Sequence, residues 1–169
     1  MAHIRPATPA DLEDMLAVYA QARAFMARTG NPHQWGDGHP RRELLEEDIA
    51  RGRSYVIEGE DGLVHAAFFY APGPDPTYAI IEEGGWRNDK PYGVIHRIAG
   101  DGQVKGVLAA AVDFCARLCD ELRIDTHHDN RVMQAALERA GFVRCGIIHL
   151  ENGEPRIAYQ RTAQGGGGV

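Results

Sequence analysis

The sequence predicts an α+β domain in which a mixed, mostly antiparallel sheet is covered by helices on both faces. Three observations predict it. Strand-like and helical runs follow the order β, α, α, β, β, β, α, β, α, β, β, so strands outnumber helices. Two junctions, "GEDG" at 59–62 and "ENGEP" at 151–155, are tight turns between β-rich runs and make those neighbours antiparallel. A strand–helix–strand unit over 92–127 must cross over right-handed, which makes one pair parallel.

Each element has its own signal. "HIRPA" at 3–7 is a short first strand. The helix over 8–28 has Thr8 as N-cap, Pro9 at its first position and Asp11 three residues after the cap. Leu12, Met15, Leu16, Tyr19 and Phe25 recur near helical spacing along it. "TGNPHQWGDGHP" at 29–40 breaks that helix, and 41–52 forms a second with Leu44, Leu45 and Ile49 on one face. A hairpin over 54–72 and a Pro-rich connection at 71–76 precede the strand at 92–98. A long helix spans 103–121, with Val107, Ala110, Ala111, Phe114 and Leu118 on its apolar face. A strand at 122–127, a helix over 130–142 closed by Gly141, and a hairpin of 143–150 with 156–160 complete one domain at 1–162. "AQGGGGV" at 163–169 reads as a flexible tail.

At 169 residues, 44% apolar and 25% charged, the chain is long enough for one sizeable core. A formal charge of −6 with no basic run argues against nucleic-acid and membrane-surface partners. No signal-peptide core or membrane span is present in the sequence, so a cytoplasmic location is expected. Cys115, Cys119 and Cys145 lack the spacing of a metal or redox site and read as small buried hydrophobes. "DTHHDN" gathers two histidines and two carboxylates, but adjacent histidines on a strand diverge to opposite faces, so no metal is expected.

Two segments carry the chemistry. "HRIAGDGQVKGVL" at 96–108 is a strand feeding a helix through glycines, where backbone amides can hold phosphate without a cationic side chain. On its own it could equally be a tight turn. "NRVMQAALERAGF" at 130–142 is the second. Together they resemble the GCN5-related N-acetyltransferase (GNAT) superfamily, whose patterns are Q/R-x-x-G-x-G/A and N-x-x-A-x-x-L-Y-E-K-x-G-F. Gln103 and Gly106 match the first, with Leu108 in place of a small residue and a shorter loop. Asn130, Glu138, Gly141 and Phe142 match the second, with Arg139 for Lys and Leu137 where many members have a catalytic tyrosine. "NPHQW", "YGVIHRIA" and "PRIAYQ" are similar to one bacterial branch of the superfamily, for which the resemblance fixes no acceptor.

The resemblance implies the acyl-CoA N-acyltransferase fold, with a splayed central strand pair, and acetyl-CoA as co-substrate. It places Ile98, Ala99 and Gly100 along the pantetheine and makes the Ile98 amide a candidate oxyanion donor. It places the amides of Gln103, Val104, Lys105, Gly106, Val107 and Leu108 on the pyrophosphate, and Asn130 and Met133 beside the pantetheine arm. It implies direct acetyl transfer to a primary amine of a small acceptor, or, given Leu137, a CoA-binding module with little catalysis. A homodimer is left open.

The residues add candidates for the base, since an amine is mostly protonated at neutral pH. His96 has the right intrinsic acidity for that role or is structural. Asp125 and His127, two apart on a strand, form either a base with its orienting carboxylate or a structural pair. In "GNPHQW", Trp35 offers an acceptor wall or an anchor for the loop, with Gln34 and His33 as polar partners. Glu82 and Glu83 could attract a cation or form a solvated turn, and Trp86 is a substrate wall or an anchor for its own connection.

Overall fold

The computed structural model describes residues 3–163. Its strands are β1 (His3–Pro6), β2 (Ser54–Glu58), β3 (Val64–Pro72), β4 (Gly93–Gly100), β5 (Glu121–Thr126), β6 (Val143–His149) and β7 (Pro155–Thr162). Its helices are α1 (Leu12–Arg28), α2 (Arg42–Ala50), α3 (Val107–Ala116) and α4 (Arg131–Arg139). The strands form one seven-stranded sheet in the order β1-β2-β3-β4-β5-β7-β6. Only the β4–β5 pair is parallel, as the single strand–helix–strand crossover requires. Of the predicted tail only Ala163 is described, its amide on the Asp120 carbonyl at 2.7 Å.

Two helix starts differ from the sequence reading. Pro9–Asp11 is a 3₁₀ turn, with α1 following it. Asp11 still takes the Thr8 amide at 2.8 Å, as a capping residue does. The helix expected from 103 begins only at Val107, because Gly106 sits at φ 70° and breaks the right-handed run. Residues 101–106 are therefore loop.

The faces are covered by different means. On one, α3 and α4 pack Ala111, Val112, Cys115 and Leu137 against Phe68, Ile95, Ile98 and Ile124. On the other, α1 and α2 bring Met15, Tyr19 and Leu45 onto Val56, Ala67 and Ala99. The connection before β4 covers the rest of that face, with Tyr78 and Trp86 near Val94, Ile148 and Ala158. Cys115 and Cys145 are buried and Cys119 half-buried, all as free thiols.

Segment 82–85 closes the β6 edge, with Glu82 and Ile147 exchanging two backbone bonds of 2.8 Å. A Cβ on Gly84 would lie 2.1 Å from the Cys145 carbonyl, so only glycine permits this approach. Glu82 and Glu83 thus belong to an edge closure away from the central strands.

Candidate active site

The central parallel pair opens almost as soon as it forms. β4 and β5 are in register only at Gly93 with Leu122 and Val94 with Arg123, and beyond these residues the strands part. A cleft of about 790 Å³ lies at the opening. Ile98, Ala99, Gly100, Ile124 and Thr126 line it, as do Val107 and Leu108 of α3 and Met133 and Ala136 of α4.

A β-bulge shapes the β4 wall. Two steps along β3, Ala67 to Phe69, face three along β4, Ala99 to His96. Arg97 and Ile98 have no register partner, and Arg97 adopts φ 50°. Because Ile95 and Ile98 enter the same core cluster, the two residues between them both turn to the opposite face. There His96 and Arg97 both pack on Phe69, at 5.5 Å between rings and 4.6 Å from guanidinium to ring. The Tyr19 hydroxyl fixes the bulge from α1 by donating to the Arg97 carbonyl at 2.7 Å. Bulges commonly re-aim side chains beside active sites.

His96 lies between two carboxylates. Nε2 is 2.8 Å from Asp75 Oδ2 and Nδ1 is 3.8 Å from Asp125 Oδ2. Asp125 accepts the Tyr78 hydroxyl at 2.7 Å, and Asp75 accepts the Thr77 amide and hydroxyl at 2.9 and 2.7 Å. Burial would raise the Asp75 carboxyl, but the bonds from His96 and Thr77 prevail and hold it at about 2. A carboxylate on Nε2 keeps a proton there, so in the neutral tautomer Nδ1 carries the free lone pair.

The expected Asp125–His127 pair does not form. β5 ends at Thr126, so His127 leaves the strand; its Nδ1 accepts the Asp129 amide at 3.0 Å. Nor do His127 and His128 diverge, since a turn rather than a strand carries them and their rings stack 4.2 Å apart. With Asp129 they place three potential ligand atoms within 4.8 Å. Burial first, and then the charge of Arg156, push the His127 ring below its ordinary range.

Gln34 joins the two sides of the cleft. Its Oε1 accepts from Asn31 Nδ2 at 2.9 Å, Asn130 Nδ2 at 3.0 Å and Thr126 Oγ1 at 3.4 Å. Asn130 caps α4 by accepting the Met133 amide at 3.0 Å, so its amide group must face Gln34. Trp35 stands edge-on to Tyr19 at 5.7 Å between centroids and lines the cleft, with His33 exposed at the mouth. Trp86 does not line it; it stacks on the buried Arg123 guanidinium at 4.1 Å and donates to the Tyr78 carbonyl.

The loop splits the remaining candidates. The Gln103 amide is taken by Asp101 Oδ1 at 2.9 Å. The amides of Val104 to Ala109 have no acceptor among the described residues, Gly106 being the N-cap of α3. Gln103, Val104 and Lys105 line a separate recess of about 420 Å³ with Gly59, Asp61 and His65. Leu137 is fully buried in the core and has no place in the cleft.

A splayed parallel pair, free backbone edges and an open helix N-terminus suit a thioester-bearing nucleotide: an extended arm between strands, phosphate at amides. Such a fold and site define an acyl-CoA-dependent N-acyltransferase. A profile described as an acetyltransferase (GNAT) domain matches residues 2–143. A GNAT-family acetyltransferase from Streptococcus agalactiae is 31% identical, over 97% of this chain and 96% of that one, with a TM-score of 0.87. A phosphinothricin acetyltransferase from Sinorhizobium meliloti, solved with acetyl-CoA, shares the fold at 14% identity and a TM-score of 0.64, over 99% and 92% of the chains. A GNAT-family acetyltransferase from Listeria monocytogenes does so at 19% and 0.69, over 95% and 94%. Comparison with curated protein sequences gives no match. The chain belongs to the GNAT acetyltransferase family and is an N-acetyltransferase.

Proposed function

We propose that the enzyme transfers acetyl directly to the primary amine of a small cationic acceptor, with His96 as general base. The observation that carries this reading is the distribution of charge at the acceptor end of the cleft. Arg97 is held by Asp48 at 2.6 Å and Arg156 by Glu154 at 3.2 Å, so each guanidinium has its own carboxylate. Asp75 and Asp125 have only His96 and neutral hydroxyl and amide donors. Around His96 carboxylate is therefore in excess, which favours an ammonium group there. Ala22, Phe25, Met26 and Trp35 provide an apolar wall for its body.

The chain's own groups then have separable tasks. Acetyl-CoA supplies the activated acyl thioester. Asp75 keeps the His96 proton on Nε2, and Nδ1 takes the proton from an ammonium held beside Asp125. The Ile98 amide, in the bulge, serves as donor for negative charge developing on the acyl oxygen. The amides of residues 104–108 hold the pyrophosphate. Leu137 supplies no proton, and a thiol of pKa about 8.5 is a tolerable leaving group without one. A reducing, cytoplasmic setting accords with the three free thiols.

The test is turnover on a panel of amines, polyamines, amino acids and peptides, read as released thiol. Monoamines with an apolar body are expected to give the highest kcat/KM. Tight acetyl-CoA binding with no turnover on any acceptor would refute the catalytic assignment, and preference for acidic amino acids would refute the charge argument.

A further inference from the structure

We propose that His65 is a positioning residue for the acetyl-CoA site: as an imidazolium clamped between Asp61 and Asp101, it braces loop 101–106 and makes cofactor affinity depend on its own proton. The proposal rests on the reading of that loop and the α3 N-terminus as the pyrophosphate site.

Both ring nitrogens face carboxylate oxygens. Nδ1 lies 2.7 Å from Asp101 Oδ2 and Nε2 lies 2.8 Å from Asp61 Oδ2. A neutral imidazole has one N–H, and an ionised carboxylate can only accept, so both contacts are satisfied only by the doubly protonated ring. The Asp101 and Asp61 bonds accordingly raise the His65 pKa.

The clamp acts on the loop through Asp101. Its amide donates to the His65 carbonyl at 3.0 Å, and its second carboxylate oxygen takes the Gln103 amide at 2.9 Å. One residue thus ties the end of β4 to β3 and sets the first bond of the loop. A Cβ on Gly100 would meet Val107 at 3.1 Å, so the end of β4 also packs directly on the first residue of α3.

Charge gives the clamp its direction. The recess around His65 holds Asp61 and Glu60 from the β2–β3 turn and Lys105 from the loop, together with Asp101. On the neighbouring β2, Glu58 is engaged by Arg5, which also binds Asp11. With His65 protonated, the three clamp groups sum to one negative charge; without that proton they sum to two, beside amides that must hold a polyanion. Lys105 is the only cation in residues 101–106. Losing the proton therefore breaks one of the two carboxylate contacts of the clamp and adds repulsion. Affinity is full below the raised pKa and declines as pH rises through it. By the same linkage, acetyl-CoA binding draws a proton onto His65.

The test is calorimetric titration of acetyl-CoA from about pH 6.5 to about pH 9, a range spanning a raised histidine pKa. Thermal melts at each pH establish that every variant is folded. Wild-type affinity is expected to fall several-fold across the range, with proton uptake visible as a dependence on buffer ionisation enthalpy. His65→Gln should bind more weakly at the acid end and show no pH slope. Asp101→Asn keeps an acceptor for the Gln103 amide, removes a charge and should flatten the slope. A flat wild-type profile, or His65→Gln tracking wild type at every pH while Gly106→Val abolishes binding, overturns the clamp. Should folded Gly106→Val bind as wild type does, the loop assignment itself fails and takes the clamp with it.

Discussion

Nε2 of His96 and Oδ2 of Asp75 lie 2.8 Å apart, which orients an imidazole that alternation after the core residue Ile95 turns to the opposite face of the sheet. His96→Gln should lower kcat by about 100-fold or more, the scale of general-base catalysis, with acetyl-CoA affinity nearly unchanged. It should also abolish the rise of rate with pH that a titrating base imposes. Asp75→Asn keeps the ring in place but not its tautomer, and should lower kcat with little change in KM. Steady-state profiles of both variants decide the matter: a His96→Gln profile like wild type's would remove His96 as the base.

Leu137→Tyr should not restore an acid catalyst. The side chain at 137 is fully buried among core residues, so a phenol there is overpacked and its hydroxyl is stranded. A loss of about 2–4 kcal/mol is expected from those two effects. Denaturant melts and kcat measured together check this; a stable variant with higher kcat would show that position 137 does reach the thioester.

Gln34 separates a structural role from a substrate role. Gln34→Leu strands the amide groups of Asn31 and Asn130, at about 1–3 kcal/mol for each unsatisfied group, and should raise both KM values. Gln34→Glu retains the accepting oxygen, so stability should recover. Any remaining rise in acceptor KM then reports the missing amide donor. Equal melting temperatures for all three proteins would remove the bracket.

Asp11 predicts where the fold weakens in acid. Hydrogen bonding from Arg5, against the opposing effect of burial, holds its carboxyl at about 2. A depressed carboxyl stabilises above its unfolded pKa, and that stability disappears as pH falls from about 4 towards 2. The contribution is about 2 kcal/mol, since one pKa unit is worth 1.36 kcal/mol. Asp11→Asn should therefore lower the melting temperature at neutral pH and converge with wild type near pH 2, within the window set by that carboxyl.

Most of the scaffold was legible in the sequence. Thr8, Pro9 and Asp11 marked an N-terminus, "GEDG" and "ENGEP" marked hairpins, and Asn130 to Phe142 marked a helix between two strands. What the periodicity could not supply was the bulge. Arg97 carries no mark of a positive φ, so strict alternation left the face of His96 undecided. The partner of His96 was missed for a related reason: Asp75 lies in "GPDPT", read only as a Pro-rich connection. Its signal was available, because an aspartate before Pro-Thr is a capping pattern, and Asp75 does cap Pro76–Tyr78. The Asp125–His127 pairing failed where strand geometry did, one residue past Thr126.

The surplus residue in β4 has a further meaning. A chain lacking Arg97 would still send Ile95 and Ile98 to the core and His96 and Ala99 to the other side, now in faultless alternation. Ile98 could then take a place opposite β3, and Tyr19 would lose the carbonyl it grips. Everything that makes a good sheet is present without Arg97. What the extra residue adds is an interruption, and the acyl-transfer site proposed above is housed in that interruption: on that reading a shorter β4 would be a better strand and a poorer enzyme.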